Sequence, residues 1–294
     1  MITGAGNGPR ISIVSGIHGD EFEGVCALWK LIHQKNFIIK NGTLIVIPVA
    51  NCPAYEAGTR ESPIDGINLA RVFPGDVKGL PSERLAYALY HQILLSSDLV
   101  IDLHSGGKAL LFLPLAGFYN VPGEAGKISF NTAKATGWKY LWNAPKRDGV
   151  LSYEVIKHGI PAVGAEIAGA GRCLKNDVDN YLNAICRILG HYGLIHLEAS
   201  EFTENSQHII EGDWYICNHS GFMETTATLG QSIRQGELLC RIYNIFGQAV
   251  DEIFAMHDGV VAGIRAFPTI KAGEWSIFIG IPNLEAGYGQ EEIQ

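Results

Sequence analysis

The sequence predicts an α/β protein, with a mainly parallel mixed sheet flanked by helices and a smaller C-terminal all-β, barrel-like domain. Three observations carry this. The first two-thirds of the chain alternate short β-rich runs with helical patterns, and such alternation builds a parallel sheet covered on both faces. Residues 43–49 (TLIVIPV) are apolar on both faces, as a strand buried inside such a sheet must be. After about Leu194 helical periodicity stops and short β runs follow one another, separated by turn residues.

In chain order, residues 11–17 form the first β-rich run, and residues 21–34 place Phe22, Val25, Leu28, Trp29 and Ile32 at helical spacing. The strand at 43–49 leads into a polar loop rich in Gly and Pro, from Asn51 to about Pro81. Ser82 is positioned to cap the next helix, which carries Leu85, Leu89, Ile93 and Leu94 on one face. Strands are expected at 99–104, 110–115 and 162–167, and helices at 124–136, 151–157 and 177–189. Beyond a polar seam at 195–207 come β runs at 208–217, 221–228, 238–243, 250–255, 260–265 and 276–280. The division is thus 1–195, carrying the chemistry, and 196–294. In open α/β sheets ligands bind at the carboxyl ends of the strands, so the site is sought there.

The net charge of −8 argues against a broad nucleic-acid-binding face, which needs clustered basic residues. It leaves an anionic small molecule open, because one or two buried arginines hold a carboxylate inside an acidic protein. The six cysteines form no C-x-x-C pair, and Cys26 and Cys186 fall in apolar helical patterns as small buried thiols. With no leader-like segment and no apolar run of membrane-spanning length, the expectation is a cytoplasmic protein.

The sharpest local signal is Gly16-Ile17-His18-Gly19-Asp20-Glu21, where the first strand gives way to the first helix. An imidazole and a carboxylate three residues apart across a turn can reach one ion, and the glycines let the backbone bend around it. On that motif alone a loop histidine and a first-turn acid are the more frequent reading. A second strand ends Asp102-Leu103-His104-Ser105-Gly106-Gly107. Asp102 points to the same side as His104 and can take its other ring N–H. Two histidines and one carboxylate match the His₂Glu set of a catalytic zinc, with a fourth position for water.

A third strand ends in Glu166 after the apolar run Val163-Gly164-Ala165. Beside a metal such a carboxylate serves as general acid/base; the plain alternative is a strand-end ion pair with Arg172. The 51–81 loop carries Arg60, Asp65, Asn68 and Arg71. These either face the metal, steadying an oxyanion and gripping a carboxylate, or staple the loop.

The fragments SGIHGDEFEG, GTRESPIDGINLARVFPG, VIDLHSGG and AEIAG, in this order, resemble the succinylglutamate desuccinylase/aspartoacylase family of zinc carboxypeptidase-like hydrolases. The resemblance spans nearly the whole chain. It implies one zinc on His18, Glu21 and His104, with Glu166 as general acid/base and Arg60 polarising the scissile carbonyl. Arg71, with Asn68 beside it, is implied to bind the substrate carboxylate, and the substrate to be a small N-acyl amino acid. The family commonly has asparagine directly before the second arginine, where this chain has Ala70. Relatives often begin with an extra β segment, so the sheet here is expected to lack an edge. The region 236–280, with AMHDGVVAGI at its centre, resembles a lipoyl- or biotinyl-like barrel without its attachment lysine, and reads as a cap beside the cleft.

The leading reading is therefore a zinc-dependent amide hydrolase acting on small molecules, without nucleic acid or membrane as partner, and with self-association open. A zinc carboxypeptidase acting on short peptides is the near rival. A non-catalytic carboxylate-binding protein is the distant one, since it would be marked by loss of a ligand or of the acid/base.

Overall fold

The computed structural model describes residues 1–35, 37–197 and 206–283. The polar seam falls largely at 198–205, outside the described residues. In chain order the elements are β1 (Ile2–Thr3), β2 (Gly6–Val14), α1 (Glu23–His33), β3 (Asn41–Ile47), α2 (Cys52–Ala57) and α3 (Pro81–Tyr87). Then come β4 (Leu99–Ser105), β5 (Leu110–Phe118), α4 (Glu124–Ala135), β6 (Tyr140–Asn143), α5 (Leu151–Lys157), β7 (Ala162–Gly169) and α6 (Lys175–His191). The last third is all strand: β8 (His208–Ile216), β9 (Gly221–Thr225), β10 (Ser232–Ile233), β11 (Leu238–Tyr243), β12 (Ala249–Phe254), β13 (Gly259–Arg265), β14 (Thr269–Ile270) and β15 (Trp275–Pro282).

One sheet runs β1-β3-β2-β4-β7-β5-β6-β8-β15-β13-β10, and its centre, β3-β2-β4-β7, is parallel. Strand alternation sends Ile11, Ile13, Ile101 and Leu103 to one face, where α1, α4 and α6 cover them. Val14, Val100 and Ala162 go to the other, under α3 and α5. Each such fully buried side chain stabilises the fold by roughly 1.5–3 kcal/mol, which is why the central strands read as apolar runs. β5 turns back antiparallel to β7, and β13 also pairs with β5. The pairings β5–β6, β6–β8, β8–β15, β15–β13 and β13–β5 therefore close a ring. The C-terminal strands thus share β5 with the sheet, and a second sheet, β12-β11-β9-β14, packs its own core beside them.

The structure departs from expectation in several places. The 51–81 segment is not all loop: Asn51 accepts from the Ala54 N–H and caps α2, and Leu69–Arg71 forms a 3₁₀ turn. Ser82 does not cap the third helix, which begins at Pro81, a residue suited to the first helical position. Both the backbone N–H and the hydroxyl of Ser82 are instead turned onto Asp65, 2.8 Å away. The helix does not run straight through to Leu94, since a π-helical turn (Ala88–Ile93) and a 3₁₀ turn (Leu94–Ser96) follow α3. The outer edge of the sheet is occupied, by the two-residue β1 on β3. Cys26 and Cys186 are half-buried; the fully buried thiols are Cys217 and Cys240, and none of the six is in a disulfide.

Candidate active site

The carboxyl ends of β2, β4 and β7 meet at one point. β2 delivers His18 and Glu21 through a turn that two glycines make possible. Gly16 sits at φ +64°, and a Cβ on Gly19 would fall 1.9 Å from the Ala54 backbone. β4 delivers Asp102 and His104, and β7 sets Glu166 directly beside His104 in the parallel register. Tyr181 of α6 ties the two strands together, its hydroxyl lying 2.6 Å from the His104 carbonyl and 2.8 Å from that of Ala165.

His18, Glu21 and His104 form a cluster whose ligand atoms all lie within 4.8 Å of one another, a set that could hold a metal ion. Its hydrogen bonding says how. The Asn68 side-chain oxygen, identified as oxygen because it accepts the Ala70 N–H at 2.9 Å, lies 3.1 Å from His18 Nε2. It takes that ring N–H and leaves Nδ1 bare, 2.7 Å from Glu21 Oε1. His104 is arranged alike, with Nε2 3.2 Å from Asp102 Oδ1 and Nδ1 2.9 Å from Glu21 Oε2. Two imidazoles thus turn their Nδ1 atoms onto one carboxylate. Burial holds His18 below the ordinary histidine pKa, more than the nearby Glu21 can offset, so its Nδ1 carries a lone pair. That lone pair and the Glu21 oxygen both face a positive group, the Arg60 guanidinium, and the donor set of two imidazoles and a carboxylate fits a divalent cation.

Burial works against the charged forms of Glu21 and His104, but their partners outweigh it. The two imidazoles hold Glu21 well below the usual carboxylate range, while Asp102 and Glu21 raise His104 well above its own. Metal binding must therefore displace a proton from this cluster. We expect Asn68→Ala, which frees His18 to turn, to weaken metal affinity about 10–100-fold, the usual toll for losing such an orienting partner. Competition with a chromophoric chelator measures this, and unchanged affinity would reject the orienting role.

Glu166 has one carboxylate oxygen buried without a hydrogen-bond partner among the described residues, and no ion pair with Arg172 forms. Burial pushes its pKa up to about 8; His104 opposes this only in part, and Glu21 adds to it. For the metal-free protein the sign follows directly. The folded state holds this proton more tightly than the unfolded chain, so Glu166 lowers stability as pH rises from the ordinary carboxylate pKa towards 8. Thermal unfolding of metal-free protein across pH 5–8 should show this decline, and Glu166→Gln should flatten it. An equal slope in both proteins would refute the assignment.

Arg60 lies 3.1 Å from Glu21 Oε1 and 3.3 Å from His18 Nδ1. Arg71, half-buried, donates to the Ala70 carbonyl at 2.8 Å and makes no ion pair among the described residues. Burial, aided by Arg60 and Arg147, lowers its pKa from the ordinary value. All three guanidiniums border a cavity of about 310 Å³ that also holds His18, His104 and Glu166. The six residues expected at the site from sequence besides Asn68 are therefore brought together, save that Glu21 lies beneath the cavity floor. Asn68 is turned to His18, and Ala70 lines the cavity where an asparagine amide would have stood. Sequence reasoning missed Arg147, in the loop before α5, and Phe112, Trp142 and Phe278 of an aromatic wall that also holds Trp214 and Trp275. It allowed tyrosines and tryptophans of the β part to line the cleft but could not choose among them, because tryptophans at alternating strand positions look like core.

Fold and site together define an α/β protein with a His–Glu–His cluster that could hold a metal ion at its strand ends. Residues 7–192 match the succinylglutamate desuccinylase/aspartoacylase catalytic domain. The chain belongs to that family. It is 32% identical over 277 residues to an N-alpha-acetyl-L-2,4-diaminobutyric acid deacetylase of Halomonas elongata, covering 92% of this chain and 81% of the relative. Among solved structures, the product-bound ectoine utilization protein EutE (DoeB) of Ruegeria pomeroyi superposes with a TM-score of 0.87 at 28% identity, covering 95% of this chain and 87% of that one. A succinylglutamate desuccinylase from Silicibacter sp. TM1040 gives 0.86 at 28% identity, covering 95% and 86%.

Proposed function

We propose that this chain is a zinc-dependent hydrolase that cleaves the amide bond of a small N-acyl amino acid, with one zinc on His18, Glu21 and His104. The observation that carries the reading is the pair of Nδ1 atoms converging on Glu21, each imidazole held from behind by Asn68 or Asp102. Zinc bound there supplies Lewis acidity and brings the pKa of water to about 7.

The chain's own residues supply the rest. Glu166, beside His104 with an uncommitted oxygen, takes a proton from the attacking water and returns it to the leaving nitrogen. An acid raised by burial suits both halves of that transfer. Arg60 balances charge growing on the carbonyl oxygen, and Arg71 holds the substrate carboxylate; lacking an ion-pair partner of its own, it is free to do so. Asn68 acts through His18 in this scheme. Residues 1–195 carry the chemistry, and the β part within 196–294 caps the cleft, a reading supported by the place of Trp214 and Trp275 in the cavity wall. No helix among the described residues is long and apolar enough to cross a membrane, in keeping with a cytoplasmic site of action.

Support comes also from family membership and from the deacetylase relative. The test is metal content of the purified protein together with hydrolysis of N-acyl amino acids before and after chelation. About one zinc per chain and chelator-sensitive release of amino acid are expected. Hydrolysis of short peptides in preference would favour the carboxypeptidase reading, and a folded protein that takes up no metal would favour the binding-protein one.

A further inference from the structure

We propose that the substrate carries a ring-sized apolar group, held against an aromatic wall that the C-terminal strands raise beside the metal cluster. The inference rests on the deacylase reading and narrows its substrate class. Trp214 of β8 and Trp275 of β15 stack with ring centroids 4.8 Å apart and planes 11° from parallel. Phe112 stands edge-on to Trp214 at 5.5 Å, and Phe278 links Trp214 to Trp142 at 5.4 and 5.5 Å. All five residues border the cavity that holds His18 and Glu166.

The three tryptophans are only partly buried. Apolar area left open inside a cavity is the usual mark of a ligand's apolar part, and water attack on a small polar substrate has no need of it. Charge decides what lies there. Arg60, Arg71 and Arg147 border the cavity, while its lining carboxylates among the described residues are Asp102, engaged by His104, and Glu166. A carboxylate has guanidiniums to meet it, but a free ammonium would have three like charges beside it and, as counter-ion, only Glu166, which the proton transfer occupies. A neutral ring meets the wall without electrostatic cost. This chain should therefore differ from its Halomonas relative, whose named substrate retains a free amino group.

The ring could belong to the acyl group or to the amino-acid side chain, and the assay separates the two. The zinc-loaded protein would be given N-acetyl-L-phenylalanine and N-benzoylglycine, with N-acetylglycine, N-acetyl-L-aspartate and Nα-acetyl-L-2,4-diaminobutyrate for comparison. One of the ring substrates should exceed N-acetylglycine in kcat/KM by about tenfold or more, as expected for covering one phenyl ring. Trp214→Ala should shrink that ratio, chiefly through KM, and Trp214→Phe should preserve most of it. Independently, L-phenylalanine or benzoate should quench the indole fluorescence of the wild-type protein, where L-2,4-diaminobutyrate and acetate do not. That readout holds even should Trp214→Ala fail to fold. Hydrolysis with a tenfold preference for the diaminobutyrate or aspartate substrate would overturn the inference and leave the deacylase reading standing. Quenching by the ring compounds without hydrolysis of any substrate would support the ring site and overturn the deacylase reading. Neither hydrolysis nor quenching would overturn both.

Discussion

Replacing Glu166 with glutamine should lower kcat about a thousandfold, within the range that general acid–base groups contribute, while metal content should stay at that of the wild type. Glutamine keeps the size and the strand position beside His104 but can neither accept the water's proton nor pass one to the leaving nitrogen. Because the wild-type carboxyl already has an oxygen without a hydrogen-bond partner, the amide disturbs few existing contacts. The fold should therefore survive and the loss should lie in the chemical step. Single-turnover rates beside metal analysis make the measurement. A variant with full turnover would end the assignment of Glu166 as acid/base.

His104→Ala fails differently, by losing the ion. It removes one of two imidazoles that converge on Glu21, and with it the ion-pair partner of Asp102. Metal content after dialysis should fall to about a tenth of wild type or less, and activity should fall by about three orders of magnitude or more with it. Leaving Asp102 buried without its partner costs about 1–3 kcal/mol, while Glu21 keeps His18 and Arg60, so the variant should also melt earlier. His104→Asn, which retains a polar side chain, separates the two effects: it should regain much of the stability and little of the metal. Wild-type stoichiometry in both variants would remove His104 from the ligand set.

The contrast between these residues explains what could be read in the sequence. Strands β2, β4 and β7 are buried on both faces, so a histidine or glutamate at the end of such a run stands out against continuous apolar text. The turns that follow need glycine, and this marks the spot further. For the loop arginines the residues alone left two places open, facing the His–Glu–His cluster or stapling the loop, and only the family resemblance chose between them; Asn68 gave no sign that it serves His18. Strands of two to four residues, such as β1, β6, β10 and β14, are too short to display a period. Ring closure by β13 on β5 joins residues about 150 positions apart, and no local pattern encodes such a pairing. Which tryptophans reach the cavity was hidden for the same reason, since closure is what brings Trp142, Trp214 and Trp275 to the cavity that holds His18.

That closure also orders events during synthesis. Chains emerge amino end first, at about 5–20 residues per second, so the histidine–glutamate cluster is complete in the nascent chain once residue 104 is out, and Glu166 follows. The tryptophan wall waits for β8 and β15, and until then β6 is left with a bare pairing edge, because β8 is its partner there. An open strand edge recruits whatever strand is near. A growing chain of this protein therefore passes through an interval in which all three residues of the His–Glu–His cluster have emerged but the wall that would enclose a ligand has not. In that interval it is most open to pairing with the neighbouring chain on the same message.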